Sequence, residues 1–160
     1  MQRKPVPPAP ESLDAVDSVR AALPLVPQPE DDCCQRVVSR AGVPDRGTAS
    51  AWLVFLAAVG LASETDGSYA RTTENPDRDA LADAFESNVF LASETVEALS
   101  DDPQSPADVF EQVRERVPRW ERAKRDNWEA FWTERVERRL DWAVLFGLAE
   151  RTENGFVAAD

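Results

Sequence analysis

Apolar residues recur at helical spacing through most of this chain. Leu13, Val16, Val19 and Leu23 share one face over residues 11–23, and Pro24 and Pro27 end that helix. Cys34, Val37, Val38 and Ala41 fall at i, i+3, i+4 and i+7. A second helix is therefore expected from about 32 to 41, capped by Asp31 or Asp32 and stopped by Gly42. After the turn Ala41-Gly42-Val43-Pro44, residues Asp45-Arg46-Gly47-Thr48 lead into a third helix over 48–60, with Ala49, Trp52, Leu53, Leu56 and Val59 on its stripe. Asp66-Gly67 between two short segments predicts a hairpin, because its turn needs positive φ. Asn75-Pro76 then open a long helix over 76–100. Its stripe of Leu81, Phe85, Val89, Ala92, Val96 and Leu99 advances in steps of three and four, as in a connecting helix or a short dimer seam. Ser105-Pro106-Ala107-Asp108 start a further helix that buries Val109, Val113 and Val117 before Pro118. A last one runs from Asn127 to about Phe146, with Trp128, Phe131, Trp132, Val136, Leu140 and Ala143 available for burial.

The chain ends as its first half ended. Gly60-Leu61-Ala62 returns 87 residues later as Gly147-Leu148-Ala149, Thr65 matches Thr152 and Tyr69 matches Phe156. Asn154-Gly155, shifted by one residue, takes the place of Asp-Gly as the second hairpin turn. Helix, tight turn, helix and hairpin over 31–72, with Gly-Leu-Ala leading into Gly-Ser-Tyr, resembles the winged-helix family. The resemblance implies a mainly α fold with small β-hairpins: two winged-helix-like units in tandem, 11–75 and 105–160, joined by a helix within 76–104; the proline-rich residues 1–10 before them read as a disordered tail. Winged helices serve both DNA-binding regulators and modules that bind only protein.

Charge sharpens the picture. Thirty acids and eighteen bases in 160 residues give a net charge of −12, and all bases but Lys4 and Lys124 are arginine. Such an acidic, lysine-poor chain resembles proteins of salt-loving archaea, in which an acidic surface keeps protein hydrated. There, −12 is background, and local departures carry the information. The chain contains no histidine, which removes Ser-His-Asp and Cys-His arrangements and imidazole-bound zinc. Cys33 and Cys34 are adjacent, so they cannot staple a fold and read as small core residues. Asp31-Asp32 and Asp101-Asp102 sit where caps and loops want Asp. No Gly-rich phosphate loop occurs. The longest apolar run, 51–60, is about half a membrane span. Prolines at 5, 7, 8 and 10 stand where a signal peptide needs an apolar segment. These features lead us to expect a cytoplasmic, non-enzymatic protein with no cofactor and no metal.

One stretch departs from the background. Residues 112–142 hold nine bases against seven acids, interleaved with Trp120, Trp128, Phe131, Trp132 and Trp142. Arginine among aromatics suits phosphate contacts, so Arg122, Lys124, Arg125, Arg135, Arg138 and Arg139 are candidates. Equally, Glu134 with Arg138 and Glu121 with Arg125 make i,i+4 pairs of an ordinary salt-bridged helix. In the first unit only Arg46, Thr48 and Ser50, at the entrance of helix 48–60, could reach DNA. That helix has no charge, and its outward positions Ala51, Val54 and Ala58 are apolar, whereas a major-groove reader exposes Arg, Asn, Gln or Lys. Two functions stay open: a DNA-binding transcriptional regulator, or a protein-interaction adaptor. The adaptor would use helix 48–60 or 76–100 for a partner or a second copy.

Overall fold

Residues 2–160 are described by a computed structural model, and the chain divides into two units, Met1–Val89 and Phe90–Asp160. The first contains α1 (Leu13–Ala21), β1 (Gln28–Pro29), α2 (Glu30–Ala41), α3 (Arg46–Ala58), β2 (Ala62–Thr65), β3 (Ser68–Arg71) and α4 (Arg78–Asn88). Asp45 caps α3 by accepting the Thr48 N–H at 2.7 Å, which starts the helix two residues before its expected position. The strands form an antiparallel sheet in the order β1-β3-β2. Asp66 (φ 52°) and Gly67 (φ 82°) take the left-handed backbone that a tight two-residue turn requires. Val37, Ala49, Leu53, Phe55 and Leu56 are fully buried, and Phe55 meets Phe85 of α4 edge-on at 6.2 Å.

The N-terminal segment is ordered rather than disordered over residues 2–10; residue 1 of the expected tail lies outside the described residues. Arg3 donates its N–H to the Asn88 carbonyl at 2.8 Å and pairs with Val89 in a parallel bridge, and Val6 is buried. Prolines explain the difference. They restrict the unfolded segment to extended backbone, so ordering it forfeits little entropy.

The second unit contains α5 (Ala92–Glu97), α6 (Pro106–Val113), a 3₁₀ turn (Arg114–Arg116), α7 (Arg119–Arg122), α8 (Trp128–Leu145), β4 (Ala149–Thr152) and β5 (Gly155–Ala158). The single helix expected over 76–100 does not form. After α4, Val89 is extended and Leu91 adopts φ 69°, and both are completely buried. The continuous stripe is two stripes end to end: Leu81 and Phe85 are buried in the first unit, Ala92 and Leu99 in the second. Periodicity reports burial but not which core receives the side chain. The break removes both the joining helix of 76–104 and any dimer seam along it.

The internal repeat holds down to hydrogen bonds. Helices α3 and α8 end 87 residues apart, at Ala58 and Leu145, and β4 and β5 begin 87 residues after β2 and β3. Leu61 donates to the Leu56 carbonyl at 2.9 Å, and Leu148 to Ala143 at 2.8 Å. Both helices stop at a left-handed glycine, Gly60 and Gly147. Gln28 of β1 pairs with Tyr69, and Gln104 pairs with Phe156 through an isolated bridge. In the second unit α5, α6 and α8 thus take the order that α1, α2 and α3 take in the first, with residues 114–122 inserted before α8. The second hairpin turns at Glu153-Asn154, one residue earlier than expected, and Gly155 opens β5 opposite Thr152.

Candidate nucleic-acid interface

In the first unit the three candidates sit on the opening turns of α3, beside an acidic helix start. Glu30, Asp31 and Asp32 form the first turn of α2. Arg46 is ion-paired with Asp31, which holds its guanidinium above its ordinary pKa. Ser50 donates to Glu30 Oε1 at 2.6 Å. The Thr48 N–H is taken by the Asp45 cap, and that hydrogen bond pulls the Asp45 carboxyl below its usual range. Ala51 and Val54 are half-buried, while Ala58 is buried rather than outward. The solvent side of α3 beyond Arg46 is uncharged.

The candidates of the second unit separate into three kinds. Arg122 is structural: its Nε donates to the Val117 carbonyl at 3.0 Å, its Nη2 to Arg114 at 2.9 Å, and it stacks 4.7 Å from the Trp128 ring. Arg139 is interior and is no surface phosphate contact. It is fully buried, donating from Nε to the Phe90 carbonyl at 2.7 Å and from Nη1 to Arg135 at 2.9 Å. Burial, then repulsion from Arg135 and Arg138, pushes its pKa down to about 9. The signal was present in the sequence, since 139 follows Trp132 by seven and Val136 by three, on the core face of α8.

The remaining four come together. Arg125 and Arg135 both lie over the Phe131 ring, at 3.6 and 4.2 Å from its centroid. Arg135 pairs with Glu134, which also accepts from Arg138 Nε at 2.8 Å. Lys124 pairs with Glu121 at 2.9 Å, and Arg125 reaches the same carboxylate at 3.9 Å. Burial, then Arg138 and Arg125, lowers the Arg135 pKa to about 10, and burial lowers Arg138. Acids share this surface: Asp126, Glu129, Glu134 and Glu137 are exposed.

Two important residues were missed. Arg20 is buried and donates to Leu61 O at 3.0 Å, Asn75 Oδ1 at 2.9 Å, Thr72 O at 2.7 Å, Thr72 Oγ1 at 2.8 Å and Glu74 O, tying α1 to the end of the wing. It too stands on an apolar face, seven after Leu13 and four after Val16. Glu121 is buried beneath its two bases, and only its basic neighbours could have suggested that. Cys33 and Cys34 are buried, and burial raises both thiol pKa values. Among the described residues no group of three His, Cys, Asp or Glu could hold a metal ion, and no helix is long and apolar enough to cross a membrane.

Compared with known proteins, the chain matches one family model, the halobacterial double winged helix domain, over residues 1–160. No curated protein and no solved structure matches it.

Proposed function

The chain belongs to the halobacterial double winged helix domain family, and on that premise we propose that it is a DNA-binding transcriptional regulator. It holds the phosphate backbone with its second unit and does not read bases with α3. The carrying observation is that Arg125 and Arg135 meet over the Phe131 ring while Arg138 shares Glu134 with Arg135, on the first half of the helix that repeats α3. Planar guanidinium groups match phosphate oxygens in pairs, and an aromatic ring holds them in place. Arg46, Thr48 and Ser50 are occupied by acids and a cap, so they have at most a subsidiary part. The reading places the protein in the cytoplasm and requires neither cofactor nor catalysis.

Fluorescence anisotropy with the duplex upstream of its own coding region, and with a scrambled duplex, tests this. The two duplexes should bind alike. Replacing Arg125, Arg135 and Arg138 with Gln should weaken both and reduce the log–log salt slope by about 0.9 for each phosphate no longer neutralised. Unchanged binding by the triple variant would overturn the reading.

A second reading, an adaptor that binds protein and never nucleic acid, is favoured by one observation: α3 faces solvent with Gly47, Ser50, Ala51 and Val54, and Ser50 is already bonded to Glu30. Absence of DNA binding by the parent protein at every salt concentration would select it.

A further inference from the structure

We propose that Arg125, Arg135 and Arg138 form a preformed seat for a phosphate-type oxyanion, which a free phosphate dianion can occupy in competition with the DNA backbone. The competition rests on the backbone-contact reading above; the seat does not.

Three observations converge on it. Arg125 and Arg135 share one ring partner, Phe131, which positions both guanidinium groups and excludes water where they meet it. Their carboxylates are shared: Glu134 serves Arg135 and Arg138, and Glu121 serves Lys124 and Arg125, the latter at the long distance of 3.9 Å. Finally, Arg125 Nη1 is buried and donates no hydrogen bond. Its nearest ionic partner, Glu121 Oε2, stands 3.9 Å away, too far for a hydrogen bond, so this donor capacity of Arg125 is unspent. Burial first, and then the charges of Arg138 and Arg125, lower the Arg135 pKa, and an anion seated here would offset the second of these.

The chemistry selects the ligand class. Molar chloride screens charge over about 3 Å, so long-range attraction contributes little in a salt-rich cell. Chloride offers two forked guanidinium groups a single acceptor atom and one charge, whereas a tetrahedral dianion offers several oxygens in fixed geometry. Selection therefore comes from hydrogen bonds rather than net charge. Both inorganic phosphate and a phosphomonoester present that chemistry, as does a backbone phosphodiester with one charge fewer. Glu134 is the internal competitor, since it already holds Arg135 and Arg138.

The test uses the intact chain in about 1 M KCl, where screening is strong. Calorimetric titration with potassium phosphate, against added KCl of equal ionic strength, should give saturable binding from phosphate alone. Glu134→Gln should tighten it about threefold or more, because a competitor leaves. Arg125→Gln should weaken it about tenfold or more, the loss expected for a charged hydrogen bond. Arg116→Gln removes the same charge from an exposed site of the same unit and should leave binding unchanged. Phosphate should then release labelled duplex over the same concentration range. Saturable binding that follows these variants without any duplex binding keeps the seat and refutes the backbone reading. Duplex binding with no saturable phosphate response, or a phosphate response indifferent to Glu134→Gln and Arg125→Gln, overturns the seat.

Discussion

A Cβ placed on Gly155 would lie 2.5 Å from the Gln104 carbonyl oxygen, so the strand-like segment at 104 closes over backbone that no side chain can occupy. Gly155 lies just past the turn, paired with Thr152, and its φ of 138° and its contact with Gln104 belong to the sheet. Gly67 is the contrast. It has φ 82° and open space around its missing Cβ.

Gly67→Ala should therefore cost about 1–2 kcal/mol, the left-handed penalty alone. Gly155→Ala adds a backbone collision and should cost distinctly more, about 3 kcal/mol or above. Hydrogen exchange at Phe156 and Ala158, which donate to Gln104 and Ser100, would report the loosening locally. Equal losses in both variants would refute the explanation.

Arg20 should behave as a wing clasp. Its five hydrogen bonds end on residues 61–75, four of them on the single segment 72–75. Arg20→Met keeps the stem but leaves those carbonyls without their donor, so we expect a loss of about 3 kcal/mol, centred on β2 and β3. Arg20→Lys should recover little, because one ammonium cannot reproduce a planar fork. Chemical denaturation measures the total, and exchange rates at Arg71 and Thr72 show where it falls. A lysine variant as stable as the parent would count against the clasp.

Helix starts give a matched pair. Ser105 and Asp108 form a reciprocal capping box, each accepting the other's N–H at 3.1 Å, whereas Ser12 caps α1 with no side-chain hydrogen bond. Ser105→Ala should cost about 1 kcal/mol and Ser12→Ala close to nothing. Asp45 adds a pH dependence. Its folded pKa lies below its unfolded one, so its stabilisation is full above the unfolded value and disappears as pH falls through the folded value. Asp45→Asn keeps an acceptor for Thr48 but cannot titrate there. It should flatten the acid limb of the stability curve, read by circular dichroism between about pH 5 and pH 2.

What could be read from the chain depended on whether neighbours or distant residues decided the outcome. The repeat from Gly60 to Tyr69 was visible because glycine stops, a tight turn and one inward aromatic are local requirements, and Tyr69 and Phe156 do take equivalent positions. The turn at Glu153-Asn154 escaped because the glycine beside it answers to Gln104, which is distant in sequence. The break at Leu91 escaped for a related reason: two cores each take half of one apolar stripe, and no glycine or proline marks the division. Arg139 and Arg20 were legible in principle. Both occupy core positions of their helices, but their charge drew attention to the surface first.

Salt should act on both units, and most strongly on one segment. Counted by unit, Met1–Val89 has eight bases and fourteen acids, and Phe90–Asp160 ten and sixteen, so each carries −6. Residues 92–111, spanning α5 and α6, contain six acids and no base, while 112–160 are neutral. Screening lengths shrink from about 30 Å at 0.01 M salt to about 3 Å at 1 M, so molar salt removes most repulsion among those acids. Marginal stability makes even a few tenths of a kcal/mol per pair visible. We expect the melting temperature to rise between dilute buffer and molar KCl, with amide protection in α5 and α6 gaining most. Replacing Asp101 and Asp102, both exposed, with Asn should reproduce part of that gain in dilute buffer without added salt. Hydrogen exchange at the two salt concentrations measures both effects. Uniform gains along the chain would exclude local repulsion as the cause, and unchanged protection would remove the halophilic reading of the −12 charge, leaving it to weigh directly against a DNA partner.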